Sequence, residues 1–429
     1  MKKARFKTRE QKAKGAVMEK KFTKLAATEN NPKYSELIER ESSLYGENSG
    51  DYRTPFERDY TRILHSQAYR RLKHKTQVFY NIESDHICTR MEHVLHVESA
   101  SYTIAKRLGL NEELTRAIAM GHDIGHAPFG HEGEKIIEGI YKDFFGKDAR
   151  FWHEKNGLYF AEDVELLPDR KNVYRNLNLT YAVRDGIISH CGEADEKGLF
   201  PREKLIDLKD FTETGMYAPA TYEGCAVKLS DKIAYLGRDI EDAINLGFLT
   251  TNDLKELSEI AEIRGGEAVN TGAIMSEFIA DVCETSSPER GITLSDANYR
   301  KLTAIKTFNY EKIYKNERFE PFKRYASLVI NELFSALYSR TNGGEIFENL
   351  NEKEKFYPKF IKDFKGYVAK YVNEETLKKS GCILEEKYEN KKIYGALADE
   401  KTYAKAVLDF ISGMTDRYAV SSFNELITY

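Results

Sequence analysis

Apolar positions recur at steps of three and four along most of this chain, the period of a helix with one face turned to a core. Pro55 opens one such stretch at a position suited to a first helical turn, and Phe56, Tyr60, Ile63, Leu64 and Ala68 follow at helical spacing. The stripe His93, Val97, Ala100, Ile104 and Leu108 predicts a helix over residues 90–108 that carries His93 on its buried face. His96 shares its side with Ser99 and Thr103 and is expected in water. Gly109 suits a helix C-cap and Asn111 an N-cap, so a second helix containing Leu114, Ala117, Ile118 and Ala119 should run into His122 and Asp123. There G-H-A-P-F-G interrupts regular structure.

Residues 174–190 and 225–246 again read as helical, as do Leu302 to Ile313 and Tyr325 to Leu337. In the 225–246 helix, Ala226, Leu229, Ile233, Leu236 and Ile240 form an apolar side, while Asp231, Tyr235 and Asp239 recur every four residues on another. No period-2 alternation stands out before residue 270, so a mostly α fold is expected. Residues 342–392 are charged and less periodic, with a short hairpin expected at C-I-L-E-E-K-Y-E-N-K-K-I-Y (382–394). The expected division is a basic arm over 1–30, a core over 31–340 and a C-terminal helical or mixed extension over 341–429.

Composition narrows the function classes. Of 429 residues, 41% are hydrophobic, enough for a large core, and 65 basic residues against 69 acidic ones create no global field for nucleic acid. Five well-separated cysteines with no C-x-x-C pair argue against a disulfide scaffold or a thiolate zinc site, and a reducing cytoplasm fits best. The Lys- and Arg-rich start lacks the apolar region of a signal peptide, and no window approaches a membrane span. It reads as a solvated tail or a nucleic-acid contact. All ten histidines fall between His65 and His190, so imidazole chemistry is concentrated there.

A divalent ion that activates water needs a few nitrogen and oxygen ligands held rigidly, with positions left open. His122 and Asp123, adjacent at a helix end, can reach one ion, and His93 would join them from the preceding helix. Asp231 offers a fourth, anionic donor. The competing readings are a satisfied core histidine at 93, and an exposed acidic face on the 225–246 helix with Lys232 and Arg238 pairing along it.

R-M-E-H, H-D-I-G-H-A-P-F-G-H and S-D-K-I-A-Y-L-G-R-D, in this order, resemble the HD-domain phosphohydrolases and, within them, the dGTPase-like deoxynucleoside triphosphate triphosphohydrolases. R-T-P-F-E-R-D, R-R-L-K-H-K-T-Q-V-F and N-L-T-Y-A-V-R-D-G-I-I-S-H-C-G-E are similar to the bacterial branch. The resemblance spans about residues 50–250 and implies an HD-domain helical bundle with additional C-terminal helices. It further implies one divalent ion per active site, held by His93, His122, Asp123 and Asp231, with Mn, Mg, Fe, Co and Ni all suited to such donors. The implied reaction converts a dNTP, dGTP by family default, to deoxynucleoside and inorganic triphosphate.

His153, in F-W-H-E, would transfer a proton to the leaving oxygen with Glu154 orienting it. His126, His131, Arg90 and Lys232 would meet phosphates, Gln77 the 3′-hydroxyl, and Tyr235 and Asp239 the sugar side. The resemblance also implies a homo-oligomer, hexameric by analogy, with a nucleotide effector. Two alternatives stand beside it. One is another HD phosphohydrolase acting on a nucleoside monophosphate, a cyclic nucleotide or a signalling nucleotide. The other is a nucleotide-sensing or single-strand nucleic-acid-binding module with a vestigial site, using the basic arm and Arg70 and Arg71.

Overall fold

The computed structural model describes residues 20–42, 51–80, 84, 86–192, 198–262, 271–339 and 345–428. The first 19 residues of the basic arm and the expected boundary near 340 lie outside them. The fold is mostly α, as the apolar periodicity predicts. Helix α1 (Pro55–His65) starts at a capping box in which Thr54 and Glu57 satisfy each other's backbone N–H, with Pro55 in its first turn. Helix α2 (Arg90–Leu108) has the same device in Thr89 and Glu92, and ends at Gly109 in the left-handed region, φ 84°. Asn111 then caps α3 (Glu112–Gly121) by accepting from Glu113 and Leu114 N–H.

Helices α4 (Gly130–Phe145), α5 (His153–Tyr159), α6 (Tyr181–Ser189) and α7 (Tyr222–Asn245) follow. Beyond them lie α8 (Thr271–Thr285), α9 (Asp296–Asn309), α10 (Glu320–Leu337), α11 (Pro358–Ala369) and α12 (Glu400–Ser412). Helix α7 packs on α2, α3 and α8, and α3 on α1 and α6.

Two apolar clusters hold these helices. One joins Phe56, Ile118 and Ile187 to Leu333, Phe364 and Tyr403, so it draws on both sides of residue 340. The other packs Ile104 and Leu108 of α2 against Leu229, Ile233 and Leu236 of α7, with Phe278 and Ile305 behind them. Each fully buried side chain of this kind contributes about 1.5–3 kcal/mol. Among the described residues, no helix is long and apolar enough to cross a membrane.

Several local expectations are corrected. Residues 173–176 are a strand, not helix: β1 (Leu166–Pro168) and β2 (Val173–Asn176) pair antiparallel around a turn in which the Asp169 carboxylate accepts from Lys171 and Val173 N–H. A four-residue strand is too short to announce itself by alternation. The hairpin expected at 382–394 does not form. Its segment supplies β3 (Lys387–Tyr388), which pairs parallel to β2. Residues 345–380 are more helical than their composition indicates, with helices at Glu345–Glu354 and Glu374–Ser380 beside α11.

Leu64 is exposed at 37%, off the buried stripe. Residues 20–30 are docked on the body: Phe22 is buried, its N–H donates to Leu108 O at 2.9 Å, and its ring meets the Tyr222 edge at 4.9 Å. Arg71 turns inward to Glu165 at 2.6 Å rather than outward to a ligand.

The loop after Asp123 lies directly on the backbone of α5. A methyl group on Gly125 would stand 2.1 Å from both Gly157 N and His153 O. Gly125→Ala is therefore expected to destabilise the protein by about 1–3 kcal/mol or more, as overpacking against backbone does. A melting temperature unchanged from wild type would show that the loop and α5 can separate freely.

Candidate metal and phosphate site

Helix packing brings donor atoms of His93 from α2 and of His122 and Asp123 from the end of α3 within 4.8 Å of one another, and sets Asp231 of mid-α7 beside the two histidines. His93 Nε2 lies 2.9 Å from Asp231 Oδ1, while His122 Nε2 lies 3.9 Å from that oxygen and 3.8 Å from Asp123 Oδ1. Donors that share an ion at about 2.0–2.2 Å stand at separations of this order. His93, His122 and Asp123 are buried, and the Asp231 side chain is 13% exposed.

The protonation pattern fits a cation at this point. His122 Nδ1 donates to Ala119 O at 2.7 Å, one turn back on its own helix, which fixes the tautomer and leaves Nε2 bare. That Nε2 is buried without a hydrogen-bond partner. Burial also lowers the His122 pKa, keeping the ring neutral as a ligand must be. Burial works the same way on His93, but the hydrogen bond to Asp231 outweighs it and raises its pKa. Both aspartates titrate below the ordinary range in spite of burial, Asp123 through His126 and Arg90, and Asp231 through His93.

Arg90 is buried one turn before His93, with Nη1 2.9 Å from Asp123 Oδ2. His126 Nε2 lies 2.9 Å from Asp123 Oδ1. His153 stacks on His126 at 3.8 Å between ring centroids, with Nδ1 3.3 Å from Glu134 Oε2 and 3.5 Å from Glu154 Oε2. Burial disfavours charge on His153, but the Glu154 and Glu134 carboxylates hold its pKa well above the ordinary imidazole value. His131, 68% exposed, reaches the same Glu134 at 3.4 Å. His96 is half-buried and outside this group.

His93, Asp123, Asp231, Arg90, His126 and His153 line a cavity of about 670 Å³ that also receives Gln77, Lys232, Tyr235 and Asp239. Gln77 Oε1 and Asp239 Oδ1 are buried without hydrogen-bond partners. Asp239 Oδ2 accepts from Tyr314 OH at 2.5 Å, and burial pushes its carboxyl up to about 7. The exposed acidic face considered for α7 is excluded by this burial.

Sequence reasoning missed several participants. Glu134 gathers three histidines, and its one available signal is its place one turn after His131. His190 is buried with its ring 5.0 Å from that of His122, and Cys191 Sγ lies 3.4 Å from His153 Nε2. Tyr314, Phe319 and Phe322 wall the cavity from beyond residue 300. Asp416 accepts from Thr76 and Phe129 N–H at 2.9 Å each, tying the loops of Gln77 and His126 to the C-terminal region. Phe129 is held there in the left-handed region, φ 65°.

Residues 90–236 match the HD domain, and residues 371–425 the phosphohydrolase-associated domain. The chain is 32% identical over 377 residues to a deoxyguanosinetriphosphate triphosphohydrolase-like protein of Caldanaerobacter subterraneus subsp. tengcongensis, covering 88% of this chain and 86% of that one. It is 37% identical over 285 residues to the protein of that name in Desulfatibacillum aliphaticivorans, covering 66% and 73%. The Pelagibacter ubique protein of that name is 30% identical over 398 residues, covering 91% and 98%.

His122→Ala and Asp231→Ala are each expected to lose ion binding at this centre, checked by elemental analysis after dialysis against Mn²⁺. Wild-type manganese content in either variant would remove that residue from the ligand set.

Proposed function

The chain belongs to the HD-domain phosphohydrolases, among the deoxyguanosinetriphosphate triphosphohydrolase-like proteins, and on that premise we propose that it hydrolyses deoxynucleoside triphosphates to deoxynucleoside and inorganic triphosphate. The expected first substrate is dGTP. The observation that supports this reading is the grouping of His93, His122 and Asp123, with Asp231 beside both histidines, next to a nucleotide-sized cavity that His93, Asp123 and Asp231 line and that cationic and hydroxyl-bearing side chains surround. His93, His122, Asp123 and Asp231 would hold a divalent ion, which would supply Lewis-acid chemistry toward the α-phosphate and activate water.

Arg90 and Lys232 offset the substrate's roughly four negative charges. Attack on the α-phosphorus breaks its bond to the 5′-oxygen, and that oxygen takes a proton from His153, which Glu154 and Glu134 keep charged. Gln77, with an unpartnered oxygen, suits the 3′-hydroxyl. Tyr235 and Asp239, which line the cavity, would meet the sugar, with Tyr235 excluding a ribose 2′-hydroxyl. A second reading gives the proton to His131, which shares Glu134 and is far more open to the cavity.

Incubation with each dNTP and rNTP is expected to release triphosphate from dNTPs. Orthophosphate or pyrophosphate as product would favour another phosphohydrolase, and nucleic-acid binding without turnover would favour a binding module. His153→Ala is expected to keep fold and metal and to lose turnover by about 10² to 10⁴ fold. A wild-type rate in that variant, with the loss seen in His131→Ala, would move the proton to His131.

A further inference from the structure

Two loops that line the cavity are held by a carboxylate that does not line it. Thr76 and Gln77 face the cavity from one loop, His126 and Phe129 from the other. Asp416 opens the last helix, Asp416–Ile427, and is 6% exposed. Its Oδ2 accepts from Thr76 N–H and its Oδ1 from Phe129 N–H, at 2.9 Å each. One side chain thereby grips the backbone of both loops.

Each grip falls where the loop needs it. Thr76 precedes Gln77, whose Oε1 is buried without a hydrogen-bond partner. A hydroxyl donor would satisfy that oxygen, provided the backbone beneath it stays fixed. Phe129 sits in the left-handed region at φ 65°, and a non-glycine residue keeps that conformation only where its surroundings hold it. Lys75 adds a second pin. It is 2% exposed, and its Nζ donates to His126 O and, at 3.3 Å, to Ser412 O. The His126 loop is thus fastened at two points to residues 412–416.

We propose that Asp416 is a positioning residue for selectivity at the sugar: it keeps Gln77 aligned on the substrate's 3′-hydroxyl and so makes the chain discriminate against 3′-deoxy nucleotides. This role rests on the proposed function, in which Gln77 meets that hydroxyl. A site built to hydrogen-bond a hydroxyl rejects the analogue that lacks it, because the buried acceptor is then left unpaired. Asp416 acts on the sugar only through Gln77.

The test is steady-state triphosphate release from dGTP and from 2′,3′-dideoxy-GTP by the full chain. Wild type is expected to prefer dGTP by about tenfold or more in kcat/KM. Asp416→Asn, which leaves one acceptor for two amides, should shrink that preference severalfold; thermal melts verify the fold. Gln77→Ala should abolish the preference, and adding Asp416→Asn to it should leave the ratio where it stands. Equal losses on both nucleotides in Asp416→Asn, or a further change of ratio in the double variant, would overturn the positioning role. A second measurement needs no variant to fold: amide hydrogen exchange of wild type should find Thr76 and Phe129 N–H protected like helix amides, and exchange at the rate of an open loop would overturn the grip itself. Protected amides in a chain that releases no triphosphate from any dNTP would reject the proposed function, and the selectivity role with it, while the Asp416 bridge stands.

Discussion

Asp123 and Asp231 are held almost out of water within reach of three imidazoles, and the helix packing around them has to satisfy that arrangement first. An uncompensated buried carboxylate costs several kcal/mol, so each must find its counter-charge inside the fold. Asp123 takes Arg90 and His126, and Asp231 takes His93. Those partners come from α2 and from the loop after α3, which ties α2, α3 and α7 to one mutual position. The apolar faces of the same helices then close around it. Ile104 and Leu108 meet Leu229, Ile233 and Leu236 on one side, and Ile118 meets Ile187 on the other.

What distinguishes the histidines is the partner of the second ring nitrogen. His122 and His190 each donate Nδ1 to a carbonyl three residues back, which fixes a neutral tautomer and aims Nε2 inward. His126 lies between two carboxylates. His153 has carboxylates at Nδ1 and a thiol at Nε2, and the carboxylates hold its pKa above the ordinary imidazole value despite burial. One residue type thereby acquires several chemistries within a few ångströms.

The C-terminal third contributes more than bulk. Asp416 fixes the backbone of the loops bearing Gln77 and His126, and Lys75 Nζ reaches both His126 O and Ser412 O. Tyr314, Phe319 and Phe322 line the same cavity as the histidine cluster, so the pocket is shaped in part by residues distant in sequence from the histidine-rich motifs.

Periodicity and capping chemistry determined the helices around the site: the His93 stripe, the Gly109 and Asn111 caps and the two-faced 225–246 helix all follow from local rules of spacing and backbone hydrogen bonding. The motif residues were legible for the same reason, since R-x-x-H and H-D-x-G-H each place their side chains within one or two turns. The strand at Val173–Asn176, the docking of Phe22 and the pairing of Lys387–Tyr388 with β2 were not legible, because short strands and isolated aromatics take their structure from what they pack against. The same holds for Glu134, His190, Cys191 and Asp416, whose partners lie elsewhere in the chain or across a fold. Sequence alone specified which donors exist and on which helical faces they stand. Tertiary structure decided which of them meet and which nitrogen of each ring is free, because burial and the second hydrogen-bond partner exist only once the helices have packed.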